Sequence, residues 1–183
     1  MPNLGIIASS ISGHLIPPSS FESIATVNPT AGSTTVTFSS IPSTYKSLQI
    51  RFNYLGTTGA GATLNVNFNS DVAANYSRHR LYGDGTSAAA SGNANNSAPW
   101  ISDIVNGAGT TQPCVGIVDL IDYASTANYK TFRSFSGVDK NSVGSVSLTS
   151  GNWRSTSAIN RIDITISTDT FAANSTIALY GIK

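Results

Sequence analysis

One cysteine, one glutamate and two histidines are all that this 183-residue chain offers to the usual redox, acid–base and metal chemistries. With Cys114 alone, an intrachain disulfide framework and a paired-cysteine metal site are both excluded. Its apolar neighbours make it a small buried hydrophobe. A zinc site would need His14 and His79 together with a third ligand. No Gly-x-Ser-x-Gly elbow accompanies either histidine, and the glycines form no phosphate-binding pattern. Glu22 being the only glutamate, a glycosidase pair would have to come from aspartates such as Asp84, Asp119, Asp122, Asp139 and Asp163. Such a pair needs about 5–9.5 Å between carboxyl groups. Asp119 and Asp122 are three apart, so a regular strand sends them to opposite faces. These carboxylates read as turn caps and ion pairs, with Arg78, Arg80 and Arg133 as partners. The expectation is a protein that is not an enzyme and carries no cofactor or metal.

Charge is also scarce. Charged residues make up 10% of the chain, against roughly 25% in an average domain. The formal net charge is +1 and no run of Lys or Arg is long enough to track phosphates. Nucleic acid is therefore not an expected partner. Nor is there a stretch of about 18 apolar residues that would insert in a membrane. The short patch Leu4-Gly5-Ile6-Ile7-Ala8 has no basic segment before it and does not read as a signal peptide. What remains for the surface is Ser, Thr and Asn. Such a surface can be buried in an assembly with little charge desolvation, and it equally suits an uncharged sugar.

The rest of the composition points to strands. Phe21 to Val27 and Thr34 to Phe38 read as the first two, parted by turns at Asn28-Pro29 and Ala31-Gly32. Tyr45 to Tyr54 alternates most clearly, with Leu48, Ile50, Phe52 and Tyr54 inward and Gln49, Arg51 and Asn53 outward. A glycine-rich hairpin connection, Gly56 to Gly61, then leads to Ala62, Leu64, Val66 and Phe68 facing in, with Thr63, Asn65 and Asn67 facing out. The small-residue stretch from Gly83 to Ala98 reads as a long loop, either mobile or in contact with partners. Pro99 to Val105 resumes β structure. Cys114 to Tyr123 is apolar at both parities, the pattern of a central strand covered on both sides or on one side by a partner. Tyr129 to Phe135 alternates again, and Val146 to Leu148 with Trp153 and Arg154 form a short pair around Ser150-Gly151-Asn152. Asn160 to Ile166 and Ser175 to Ile182 close the chain. Eight to ten strands without a helix predict an all-β fold, two antiparallel sheets in a jelly-roll-like sandwich.

One strand stands apart. In Tyr76-Ser77-Arg78-His79-Arg80-Leu81-Tyr82, followed by Gly83-Asp84-Gly85, two arginines and two tyrosines share one face. Guanidinium forks beside flat rings suit a layer contact, a subunit contact or the wall of a sugar site. His79, on the opposite face, reads as a semi-buried imidazole. Tyr76, Arg78, Arg80, Tyr82, Asp84, Trp100 and Trp153 are the candidate partner or glycan contacts. Ahead of the sandwich (residues 21–183), residues 1–20 form an apolar leader that breaks at Pro17-Pro18. It reads as an assembly arm acting through Leu4, Ile6, Ile7, Ile11, His14 and Leu15.

Taken together, Ile11-Ser12-Gly13-His14-Leu15, Phe21-Glu22-Ser23-Ile24-Ala25, Tyr45-Lys46-Ser47-Leu48-Gln49-Ile50-Arg51, Asn75 to Gly85 and the ending Ile177-Ala178-Leu179-Tyr180-Gly181-Ile182 resemble a family of small virion structural proteins of tailed bacteriophages. The resemblance spans nearly the whole chain, and it supplies no catalytic residue. It implies a virion part made in the host cytoplasm and released by lysis. Its partners would be other virion proteins and further copies of itself, a homotrimer being favoured, with a host glycan as a further partner. Three roles stay open at this stage: a fibre-like or receptor-binding module, a capsid-decorating protein with no host ligand, and a polysaccharide-acting enzyme.

Overall fold

The computed structural model describes residues 20–58, 61–102, 111–141 and 143–183. The arm residues Leu4, Ile6, Ile7, Ile11, His14 and Leu15 lie outside them. Among the described residues the strands are β1 (Phe21–Val27), β2 (Thr35–Phe38), β3 (Ser47–Tyr54), β4 (Leu64–Phe68), β5 (Tyr76–Gly83), β6 (Ala88–Asn96), β7 (Cys114–Ile121), β8 (Lys130–Asp139), β9 (Gly144–Trp153), β10 (Ile162–Ile166) and β11 (Thr176–Ile182). Eight form one sheet in the order β1-β11-β3-β7-β8-β9-β5-β6, and three form a second in the order β2-β10-β4. Every pairing is antiparallel. The fold is an all-β arrangement of two antiparallel sheets, sandwich-like in form.

The core follows from alternation. Leu48, Ile50, Phe52 and Tyr54 of β3 face Leu64, Val66 and Phe68 of β4 and Ile162, Ile164 and Ile166 of β10 in one buried cluster. Each large apolar side chain buried there contributes about 1.5–3 kcal/mol. A slip of one residue on β3 would expose all four, so its register is firmly held. The last two strands each insert between two early ones: β11 between β1 and β3, β10 between β2 and β4.

Several expectations from the sequence are corrected. Gly56 to Gly61 is not a hairpin connection, because β3 and β4 belong to different sheets. Thr63 and Asn67 are buried, not outward. Asn67 Nδ2 donates to the carbonyls of Asp71 and Ser97, which satisfies it inside. Ser150-Gly151-Asn152 makes no turn but lies within the continuous strand β9. A Cβ on Gly151 would stand 2.0 Å from Phe132 Cζ, so the glycine admits a flat ring and does not bend the chain. Within the supposed loop from Gly83 to Ala98, Ala88–Asn96 is the edge strand β6, which among the described residues pairs only with β5. It lacks a hydrophobic alternation because it covers no core and is held by its backbone ladder. His79 is exposed, not semi-buried.

The two halves of the large sheet differ in which face is apolar. Register aligns Ile117, Phe135, Leu148 and Leu81 as successive cross-strand partners on β7, β8, β9 and β5. All four point away from the second sheet and are 39%, 53%, 53% and 55% exposed. Val115 and Val146 lie on the same face, in a parallel row that includes Gly137 and Gly83. Behind them, on the inner face of the same strands, Ser134, Ser136, Ser147, Thr149 and Arg80 are buried. At mid-strand on β8, β9 and β5 polar residues point in and apolar ones point out, while β7 still turns Val118 and Leu120 inward.

Candidate functional site

The inward face of β5 changes character along its length. Tyr76 at its start is in the core, its ring stacked on Trp153 at 6.2 Å and 17° and tilted against Phe68. Trp153 Nε1 donates to Asp71 Oδ2 at 2.7 Å, and the Tyr76 hydroxyl donates to the Asp71 carbonyl at 3.0 Å. Burial pushes the Tyr76 hydroxyl up to about 12. Two and four residues on, the same face carries Arg78 and Arg80, only 7% and 6% exposed.

Both guanidiniums lie on rings. Arg78 sits 4.1 Å from the centroid of Trp100 and Arg80 sits 4.0 Å from that of Tyr82, with Trp100 also 5.8 Å from Arg80. Trp100 is carried there by the segment after β6. Pro99 and Ile101 bond the backbone of β4 on either side of it, and its own bridge to Asn65 completes the rung. A cation on a desolvated ring is worth about 2 kcal/mol. That does not replace hydrogen bonds. Nε and Nη1 of Arg78 are buried and find no hydrogen-bond partner among the described residues. Burial, and then the like charge of Arg80, push the Arg78 guanidinium below its ordinary range.

Arg78, Arg80, Tyr82, Asp84, Ser91, Trp100 and Lys140 line one cavity of about 580 Å³. Asp84 stands at it but is engaged by its own turn. The backbone N–H groups of Ser87 and Thr86 donate to Oδ1 at 2.8 and 2.9 Å, and the Thr86 hydroxyl at 2.8 Å. Those bonds, Ser87 first, hold the Asp84 carboxyl well below the usual carboxylate range. It is therefore an anion in a cavity of cations. Of the residues singled out by sequence, Arg78, Arg80, Tyr82, Asp84 and Trp100 converge here. Tyr76 and Trp153 do not; they pack in the core beside it. Lys140 and Ser91 escaped the sequence reading. Lys140 follows the end of β8, and only the β8–β9 and β9–β5 register brings it to β5.

Four carboxylates elsewhere are individually committed. Asp163 is held by Arg161 at 2.8 Å and by the Thr37 hydroxyl at 2.6 Å. Burial alone would raise its carboxyl, but these partners outweigh it and leave it lowered. Asp169 caps the backbone of Thr57 and Thr58, and Glu22 pairs with Lys183 and Tyr45. Asp119 accepts from Gln49 at 2.9 Å and faces Arg133 at 4.0 Å on the outer surface. Among the described residues no three of His, Cys, Asp and Glu gather as metal ligands. Cys114 is buried. No protein-family model, curated protein or solved structure matches this chain.

Proposed function

We propose that this chain is a non-enzymatic structural module of a tailed-bacteriophage virion, packing as a trimer through the outer face of its large sheet. The apolar row Ile117–Phe135–Leu148–Leu81 carries this reading. With Val115 and Val146 it leaves on the order of 500 Å² of contiguous apolar surface, near the top of what monomeric proteins expose. Adding the next row, where Asp119, Arg133, Ser150 and His79 are successive partners, extends the face towards the ~800 Å² per partner of a stable interface. That row carries both signs of charge, so a second copy meets it without net repulsion. Copies around a closed axis bury such a face without leaving an open end.

The resemblance to virion structural proteins supplies the setting, with residues 1–20 as a second attachment. The insertion of β10 and β11 between early strands is what we read as jelly-roll-like. The Arg78–Trp100 cavity favours a fibre or receptor-binding part over a shell-decorating one, which needs no ligand site. Sedimentation of the full chain over a range of concentrations tests the assembly. The wild type is expected as a trimer and the double variant Phe135→Asp, Leu148→Asp as a folded monomer. A wild type that stays monomeric throughout overturns the assembly reading. Mass spectrometry of purified particles tests the setting, and absence of the chain from them overturns it.

A further inference from the structure

We infer that the cavity beside β5 is a binding site for a carboxylate-bearing sugar, with Arg78 and Arg80 as the groups that receive the carboxylate. The inference extends the attachment role proposed above and rests on that reading only for its biological setting.

A guanidinium this deeply buried is ordinarily paired, because an uncompensated buried charge is among the costliest features a fold can carry. Among the described residues, Arg78 instead has two nitrogens without hydrogen-bond partners, the ring of Trp100 near its guanidinium and a second guanidinium two residues away. No salt bridge forms between it and the described carboxylates. Both arginines line the same cavity, with Lys140 as a third cation. An anion entering the cavity neutralises the Arg78 charge, which no described carboxylate pairs. Planar guanidinium groups held close over rings suit the planar fork of a carboxylate.

The rest of the lining selects what the carboxylate is attached to. Asp84 sits in the same cavity and remains ionised, so it repels a doubly charged phosphate more than a singly charged carboxylate. Its carboxylate also accepts hydrogen bonds, which hydroxyl groups of a sugar can give. Ser91 and Ser145 add hydroxyls, and the rings of Tyr82 and Trp100 form flat walls. The volume of about 580 Å³ falls within the range of small-molecule sites. A compact, singly charged, hydroxyl-rich ligand meets each of these requirements. A hexuronic acid residue is such a ligand.

The test is a titration of the full chain with an oligogalacturonide, followed by tryptophan fluorescence and calorimetry. A neutral oligosaccharide of equal length, inorganic phosphate and a short polyglutamate peptide are run beside it. The uronide is expected to bind at least about tenfold more tightly than any of the three, and to weaken as salt is raised. Arg78→Met is expected to abolish this preference while melting no lower than the wild type, since it removes an unpaired buried charge. Arg78→Lys, which keeps the charge but not the fork, falls between them. Equal binding of the neutral sugar, phosphate or the peptide overturns the assignment, as does absence of uronide binding. An Arg78→Met variant that melts several degrees lower shows a structural arginine and also overturns it. Repeating the titration on the monomeric Phe135→Asp, Leu148→Asp variant separates the two readings: binding there with no trimer in the wild type sinks the assembly alone, and a trimer without binding sinks the site alone.

Discussion

The two halves of the eight-stranded sheet obey opposite rules. On β3, Leu48, Ile50 and Phe52 are buried, while Gln49, Arg51 and Asn53 face outward. That outer surface is finished by polar and ring contacts: Arg51 lies over Phe21 and Tyr180 at 4.8 and 5.1 Å, and Lys183 pairs with Glu22. On β8 and β9 the buried positions in mid-strand are Ser134, Ser136, Ser147 and Thr149, and the exposed ones are Phe135, Leu148 and Val146. The cause lies at the strand ends. Phe132, Trp153 and Tyr76 are drawn into the core around Phe68, and strict alternation from those anchors turns Ser134, Thr149 and Arg80, which share their parity, inward as well. One half presents a polar outer face. The other carries the cavity lined by Arg78 and Arg80 on one side and an exposed apolar row on the other.

The sharpest way to break this contrast is to remove an anchor. Phe132→Ala deletes a fully buried ring and is expected to cost about 3–5 kcal/mol in denaturant unfolding. A loss near zero would mean that the anchors do not set the parity of the second half.

Next in size is Asp71, which holds the Trp153 end. Its carboxylate accepts from Trp153 Nε1 at 2.7 Å, Asn75 Nδ2 at 2.9 Å and the backbone N–H of Ala73 at 2.9 Å. Burial opposes ionisation, but these bonds outweigh it and hold the carboxyl below its ordinary value. Asp71→Ala is expected to cost about 1.5–3 kcal/mol at neutral pH. A depressed folded-state pKa contributes stability that is present above the unfolded value, about 3.9, and is lost as pH falls through the folded one. The difference between wild type and variant should therefore shrink below pH ~4 in thermal melts. A difference that grows with acid would reverse the sign assigned to this group.

Gly151→Ala sharpens the same boundary from the other side. A Cβ there meets Phe132 Cζ at 2.0 Å and Cε1 at 2.4 Å, so the ring must move. Overpacking of this kind costs about 1–3 kcal/mol. Stability equal to the wild type would show that Phe132 has room to retreat and is not the fixed point claimed for it.

Much of this architecture was legible in the residues, and the exceptions have physical causes. β3 was legible because its apolar and polar positions agree with a single direction. On β8 the spacing of Phe132 and Phe135 gives the alternation but not which of the two is buried, since both parities carry a phenylalanine. Only the pairing of Trp153 with Tyr76 across β9 and β5 resolves it. β6 left no trace because an edge strand of Ala, Ser, Gly and Asn is held by backbone bonds that any residue but proline can make. At the cavity, parity alone placed Arg78, Arg80 and Tyr82 on one face. Trp100 joined them through a rung on β4, a contact between sheets that no local pattern encodes.

The smallest expected effect is the most direct test of the contrast. Phe135 lies on the same strand as Phe132, three residues on and on the opposite face, and is 53% exposed. In dilute protein Phe135→Ala should change the unfolding free energy by no more than about 0.5 kcal/mol. At high protein concentration the outcome should diverge. Assembly stabilises the native wild type by mass action, while a truncated face gains less from it. The measurement is the denaturation midpoint of both proteins across a hundredfold range of concentration. Curves that separate only at the high end identify the outer row as an interchain surface. Curves that differ by the same several kcal/mol at every concentration mean that Phe135 is covered within one chain, and the second half of the sheet then needs no partner.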